Sequence, residues 1–183
     1  KMQEEKKEIP TPAVLLTMVA QMNFNAYEKE SALQCEESGS QIARLQGYLA
    51  GVRCYKQLMR DNGYTFDIKF DGTTERALPF FNADGCELDL HELRVTVSCV
   101  DELTESSGFA GLKKLWGETV DRQKDWLFYK SEKGRDLHFV KGWLEGMTVI
   151  DKTIERLRSE LAREEKEASE SLPFEGDDIG QTE

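Results

Sequence analysis

In the second half of the chain, apolar residues fall at Leu137, Val140, Leu144, Met147, Ile150, Ile154, Leu157 and Leu161. Steps of three and four hold them in one stripe at 3.6 residues per turn, which predicts a long helix over 121–168. The first half predicts another. Thr11-Pro12 is a suitable helix opening, no proline follows between Ala13 and Asp61, and Asn62-Gly63 is a natural stop, so a helix is expected over 11–62. Gly39, between Ser38 and Ser40, is a place where this helix would kink or split.

Between these segments the period changes. Phe66, Ile68 and Phe70 alternate with Thr65, Asp67 and Lys69, and Leu93, Val95, Val97 and Cys99 alternate with Arg94, Thr96 and Ser98. Alternation at period two predicts strands over Tyr64–Phe70 and Leu93–Cys99, with weaker candidates at Ala77–Phe81 and Cys86–Leu90. Asp71-Gly72 and Asp84-Gly85 supply turn residues. Phe109, Leu112, Leu115 and Trp116 predict a short helix over 108–118. The expected fold class is α+β: two long antiparallel helices, with an antiparallel sheet of strands within 64–100 and the short helix inserted between them.

The two long segments share a sequence. Gly39, Ile42, Leu45, Gly47, Tyr48, Leu49, Gly51 and Val52 return 95 positions later as Gly134, Leu137, Val140, Gly142, Trp143, Leu144, Gly146 and Met147. Two copies are too few for a solenoid, so they mark two helices that pack as pseudo-equivalent partners. A glycine inside a helix costs about 1 kcal/mol relative to alanine, so three per copy need a compensating contact. On a helical wheel Ile42, Leu45, Leu49 and Val52 form one side of the first copy; Ala43, Gly47, Ala50, Gly51 and Cys54 lie nearly opposite. Small residues let another backbone approach closely. The equivalent face of the second copy, with His138, Gly142, Glu145, Gly146 and Val149, is more polar. These small faces either pack within one core or form a self-association or partner surface, for which Ala43, Gly47, Ala50, Gly51, Cys54, Gly142 and Gly146 are the candidates.

The length of 183 residues fits a single domain, expected over 11–168 after a flexible start at 1–10. The net charge of −11 changes the picture less than its size suggests. Within 164–183 there are eight acids (Glu164, Glu165, Glu167, Glu170, Glu175, Asp177, Asp178, Glu183) and one base, Lys166, so much of the acidity belongs to that end. Residues 169–183 read as a disordered acidic tail, and the rest of the chain has no basic stripe for phosphates, which argues against nucleic-acid binding. Cys35, Cys54, Cys86 and Cys99 form no CxxC pair, no leading apolar run resembles a signal peptide and no apolar run is long enough for a membrane span. A reduced, cytoplasmic setting is expected.

Candidate chemistry is sparse. The Gly47-x-x-x-Gly51 spacing sits inside helical periodicity and is no phosphate loop, and neither a GxSxG elbow nor an HExxH pair is present. Cys86, His91 and Cys99 match no zinc-knuckle spacing, and alternation would make Cys99 a buried structural thiol. Asp67, Asp71 and Glu75 read as a strand surface and a turn. No catalytic residue, cofactor or metal ligand is therefore assigned.

The run Lys133-Gly134-x-x-Leu137-x-Phe139-Val140-Lys141-Gly142-Trp143-Leu144-x-Gly146 resembles helical segments in small proteins of tailed bacteriophages. The resemblance covers about a tenth of the chain and implies a phage or prophage accessory or structural protein that works by protein contact, in host cytoplasm or virion. The pieces Leu172-Pro173-Phe174 and Asp177-Asp178-Ile179 are similar to the acidic tips of single-stranded-DNA-binding proteins, in a different order. They make Leu172, Phe174, Asp177, Asp178 and Ile179 partner-docking candidates. The leading expectation is a non-enzymatic protein self-associating through its glycine-bearing helices. The alternative is an inhibitor or adaptor that holds a host nucleic-acid enzyme by its acidic surface and tail.

Overall fold

The computed structural model describes residues 11–65, 80–81, 86–129 and 137–170. These form six helices: α1 (Ala13–Cys35), α2 (Gly39–Asp61), α3 (Leu90–Glu105), α4 (Ser107–Tyr129), α5 (Leu137–Met147) and α6 (Val149–Glu170). Among the described residues there is no sheet, and the α+β expectation is corrected to an all-helical fold. Phe81 and Glu87 form an isolated antiparallel bridge.

The strand expected at Leu93–Cys99 is the middle of α3. Asp89 Oδ1 accepts from the Glu92 N–H (2.8 Å) and Glu92 Oε2 accepts from the Asp89 N–H (3.0 Å), a capping box that opens a helix one turn before the alternating run. Helical spacing then buries Leu93, Val97, Val100 and Leu103 and leaves Val95 52% exposed and Cys99 exposed, so Cys99 is not the buried thiol that alternation implies. Phe66–Phe70, the turns at Asp71-Gly72 and Asp84-Gly85, and most of Ala77–Phe81 lie outside the described residues.

The helix expected over 11–62 is split at Glu36–Ser38, where the Glu36 carboxylate accepts from the Glu37 and Ser38 N–H groups (3.1 and 2.9 Å). Its far end behaves as expected. Gly63 adopts φ 89°, its N–H bonds the Arg60 carbonyl, and the Tyr64 N–H reaches back to the Met59 carbonyl (3.0 Å), a Schellman stop with Tyr64 buried behind it. The helix expected over 108–118 extends through α4 to Tyr129, opened by Ser106 Oγ, which accepts from the Phe109 N–H (3.2 Å). The segment expected over 121–168 is divided among the end of α4, α5 and α6. At the α5–α6 joint, Trp116 Nε1 donates to the Met147 carbonyl (2.8 Å) while Thr148 Oγ1 donates to the Leu144 carbonyl (2.8 Å).

Cross-helix bonds set the directions. Lys56 Nζ donates to Asn23 Oδ1 (2.8 Å) and Thr11 Oγ1 to the Thr65 carbonyl (2.6 Å), so α1 and α2 are antiparallel. Arg94–Glu165 (2.9 Å) and Asp101–Arg158 (Nε 3.0 Å) run α3 antiparallel to α6, and Lys113–Asp151 (2.6 Å) together with the Trp116–Met147 bond runs α4 antiparallel to the chain through the α5–α6 joint. The core between them holds Leu15, Met18, Val19 and Met22 of α1, Tyr48, Val52, Tyr55 and Met59 of α2, and Met147, Ile150, Ile154 and Leu157 along α5 and α6. Leu137, the first position of the expected stripe, is 76% exposed and outside this core.

Candidate functional site

Among the described helices α2 and α5 cross with their backbones in close approach, and glycines make the crossing. A Cβ added at Gly47 would overlap the Phe139 carbonyl oxygen and lie 3.0 Å from the Trp143 nitrogen; one at Gly51 would overlap the Trp143 carbonyl oxygen and lie 3.0 Å from the Met147 nitrogen. The reverse set is present too. A Cβ at Gly142 would overlap the Arg44 carbonyl oxygen, 3.0 Å from the Tyr48 nitrogen, and one at Gly146 the Tyr48 carbonyl oxygen, 2.9 Å from the Val52 nitrogen. Exchanging each residue for its repeat equivalent converts the first set into the second, so the two copies are related by a local two-fold axis. Rising numbers meet rising numbers, and the helices are therefore parallel and in register rather than antiparallel. Each glycine backbone faces an opposite carbonyl at the approach that Cα–H···O contacts require. The Gly-x-x-x-Gly spacing works here as it does where membrane helices cross closely.

This assigns the small faces. Gly47, Gly51, Gly142 and Gly146 are buried against each other's helices inside one chain, Ala50 and Cys54 pack partly buried against the core, and Ala43 is half-buried nearby. Burial pushes the Cys54 thiol pKa upward, so it is a poor nucleophile. The glycines are accordingly not a free surface for self-association. Gly39 is different: it is the first residue of α2, outside the helix interior where glycine is costly, and nothing lies within 4 Å of a Cβ placed there. Leu172, Phe174, Asp177, Asp178 and Ile179 lie outside the described residues, as do Asp67, Asp71, Glu75 and Gly134.

Around the crossing the two-fold is broken by side chains. Where the second copy has Phe139 and Trp143, the first has Arg44 and Tyr48. Arg44 makes a two-pronged pair with Glu145 (Nε to Oε2 3.1 Å, NH2 to Oε1 2.6 Å), tying α2 to α5 on one side. That hydrogen bond, and then the charge of Glu145, raises the Arg44 pKa further.

Beside this pair is a cleft of about 410 Å³ between α1, α2 and the α5–α6 joint, a volume in the range of small-ligand sites. Its floor includes Tyr48, Val149 and Thr153, all buried; its rim carries Glu28 and Lys29 of α1 and Lys152 and Arg156 of α6. Desolvation pushes the Tyr48 pKa up to about 12 although Asn25 hydrogen-bonds to it, so the phenol keeps its proton. Asn25 is itself fixed by Gln21 Nε2 (2.8 Å). Arg156 lies 4.1 Å over the Phe80 ring and donates through Nε to Glu160 (2.8 Å). Tyr48, Glu145 and Val149 enter the sequence reading only as positions of the repeat, and the other cleft residues are not named in it. The available signal was Tyr48 and Arg44 standing where the repeat has Trp143 and Phe139.

Among the described residues no group of three or more His, Cys, Asp or Glu side chains is placed to hold a metal ion, and no helix is long and apolar enough to cross a membrane. No protein-family model, curated protein or solved structure matches this chain.

Proposed function

We propose that this chain is a non-enzymatic protein-contact module, of the accessory or structural kind that its resemblance to phage helical proteins implies. The supporting observation is the solvated end of α6. After Leu161 every residue through Glu170 is exposed except Glu164, and the charges there pair along the helix, Arg163 with Glu167 and Lys166 with Glu170 (both 3.8 Å), with Glu165 alone reaching across to Arg94 of α3 (2.9 Å) among the described pairs. Such a stretch has no core to cover. The body behind it is closed by the glycine crossing, which makes it a rigid support for contacts made elsewhere. This favours the adaptor form of the reading, in which a charged arm leading into the acidic residues 171–183 meets a partner, over self-association through glycines already used inside the chain.

The test immobilises the full chain and a form ending at Glu170 and captures partners from a host extract at low and high salt. Salt-sensitive capture lost with the shorter form supports the arm as the docking element. Capture that is equal for both forms moves the contact to the helical body, and no specific capture overturns the reading. Light scattering on the free chain is expected to return the mass of one copy.

A further inference from the structure

We infer that the cleft between α1, Tyr48 and the α5–α6 joint is a binding site for a small organic or inorganic anion bearing carboxylate or phosphate groups. Its charges, taken group by group, carry the inference. Of the acids facing it, Glu145 has both oxygens taken by Arg44, which leaves Glu28. Of the bases, Arg156 shares its charge with Glu160, while among the described residues neither Lys29 nor Lys152 makes an ion pair. A ligand in the cleft therefore meets an excess of positive charge on the rim, in a chain whose total is −11. A cleft whose unpaired charges, Lys29 and Lys152 against Glu28, are on balance positive favours an anion here over the rest of a surface that is on balance negative.

The floor adds a directional donor. Tyr48 is buried and remains protonated across the physiological range, held so by desolvation and, to a smaller extent, by the charges of Glu145 and Glu28, while Asn25, held by Gln21, hydrogen-bonds to it from the α1 side. Its protonated hydroxyl is the donor that this floor contributes to a cleft also lined by Lys29 and Lys152. Lys29 and Lys152 come from helices that meet only through the fold, so nothing in the local sequence of either marks the site.

The experiment titrates the full chain with citrate and, separately, with inorganic phosphate by calorimetry, and maps the bound form by amide chemical shifts. Saturable binding is expected for at least one probe, with shifts centred on Asn25, Tyr48 and Lys152. Stronger binding of citrate identifies a carboxylate ligand, stronger binding of phosphate a phosphate ligand. K29E/K152E is expected to weaken binding at least tenfold, and Lys114→Glu, an exposed change of the same sign on α4, less than twofold. Tyr48→Phe is expected to weaken it several-fold. Absence of saturable binding to both probes, or equal loss from the Lys114 and the cleft variants, overturns the inference. The rim variants alter exposed side chains only, so the test stands even where Tyr48→Phe fails to fold.

Discussion

The α2–α5 crossing and the α3–α6 pair are both helix-on-helix contacts, but different parts of the chain hold them. At the crossing, backbone meets backbone: four glycines face four carbonyl groups, with no side chain between to adjust. Along α3 and α6 side chains meet: Leu93, Val97, Val100 and Leu103 fill the space, and Asp101–Arg158 and Arg94–Glu165 decorate the edge with both partners about half exposed. A side-chain interface tolerates change because rotamers and solvent absorb it, whereas a backbone interface transmits any added atom as helix displacement.

The sharpest way to break that contrast is to add one carbon at the crossing. Gly47→Ala and Gly142→Ala are each expected to lower the free energy of unfolding by about 3 kcal/mol, read from urea denaturation, because the new Cβ overlaps a carbonyl oxygen that cannot move alone. Being two-fold equivalents, they should cost similar amounts; a loss at one and none at the other would disprove the in-register pairing. A second probe is alkaline pH. Tyr48 is pushed up to about 12 by desolvation, and Tyr55 and Tyr64 are also raised by burial. Because the folded state holds these protons more tightly than the unfolded chain, their contribution is fully present below about pH 10. It is then lost as pH climbs through the folded values. Thermal melts are expected to be insensitive to these tyrosines up to that point and to fall beyond it, with Y48F removing part of the slope.

Smaller effects refine the comparison. Trp116→Phe removes the indole bond to the Met147 carbonyl and weakens the Lys113 contact over the ring (4.2 Å), and should cost about 1–2 kcal/mol in the same denaturation assay. Gly117→Ala in α4 should raise stability by about 0.5–1 kcal/mol, since nothing lies within 4 Å of the added Cβ and alanine is the better helix former. Its opposite sign to Gly47→Ala makes the pair a direct test of what a helical glycine is for. Least of all, Arg158→Ala should change stability by roughly 0.2–1 kcal/mol, the ordinary scale of an exposed pair, and the change should shrink in high salt.

Where the sequence was legible, the signal was local. The Asn62-Gly63 stop and the break beside Gly39 depend on residues a few positions apart, and each is present in the structure; of the stripe expected from Leu137 to Leu161, the part from Met147 to Leu157 is buried, while Leu137 is exposed and the helix is interrupted at Thr148. The error at α3 came from reading Leu93–Cys99 by alternation alone. Over seven residues a helix and a strand share enough apolar positions to be confused, and the Asp89-x-x-Glu92 capping box was the physical signal that separates them. On α2 the wheel's large side took in Leu49 and Val52, which are buried, together with Ile42 and Leu45, which are only half-buried, and left out Tyr48, Tyr55 and Met59, which complete the core face with Val52. Tyrosine reads as half polar, yet Tyr55 is fully buried with no hydrogen-bond partner for its hydroxyl among the described residues, so the ring's apolar area decided its place.

The sequence by itself determined that two glycine-bearing helical segments exist and that their glycines need close backbone neighbours, because helical propensity makes such residues costly without them. Only the tertiary structure decided that each copy is the other's neighbour, and that they run parallel. Both an antiparallel and a parallel pair can be two-fold symmetric, and the long connection between α2 and α5, with α3 and α4 in it, leaves either direction open. Tertiary structure alone also made the cleft, since Lys29, Tyr48 and Lys152 lie far apart in the chain and are brought to one place by the packing of α1 and α6 around that crossing.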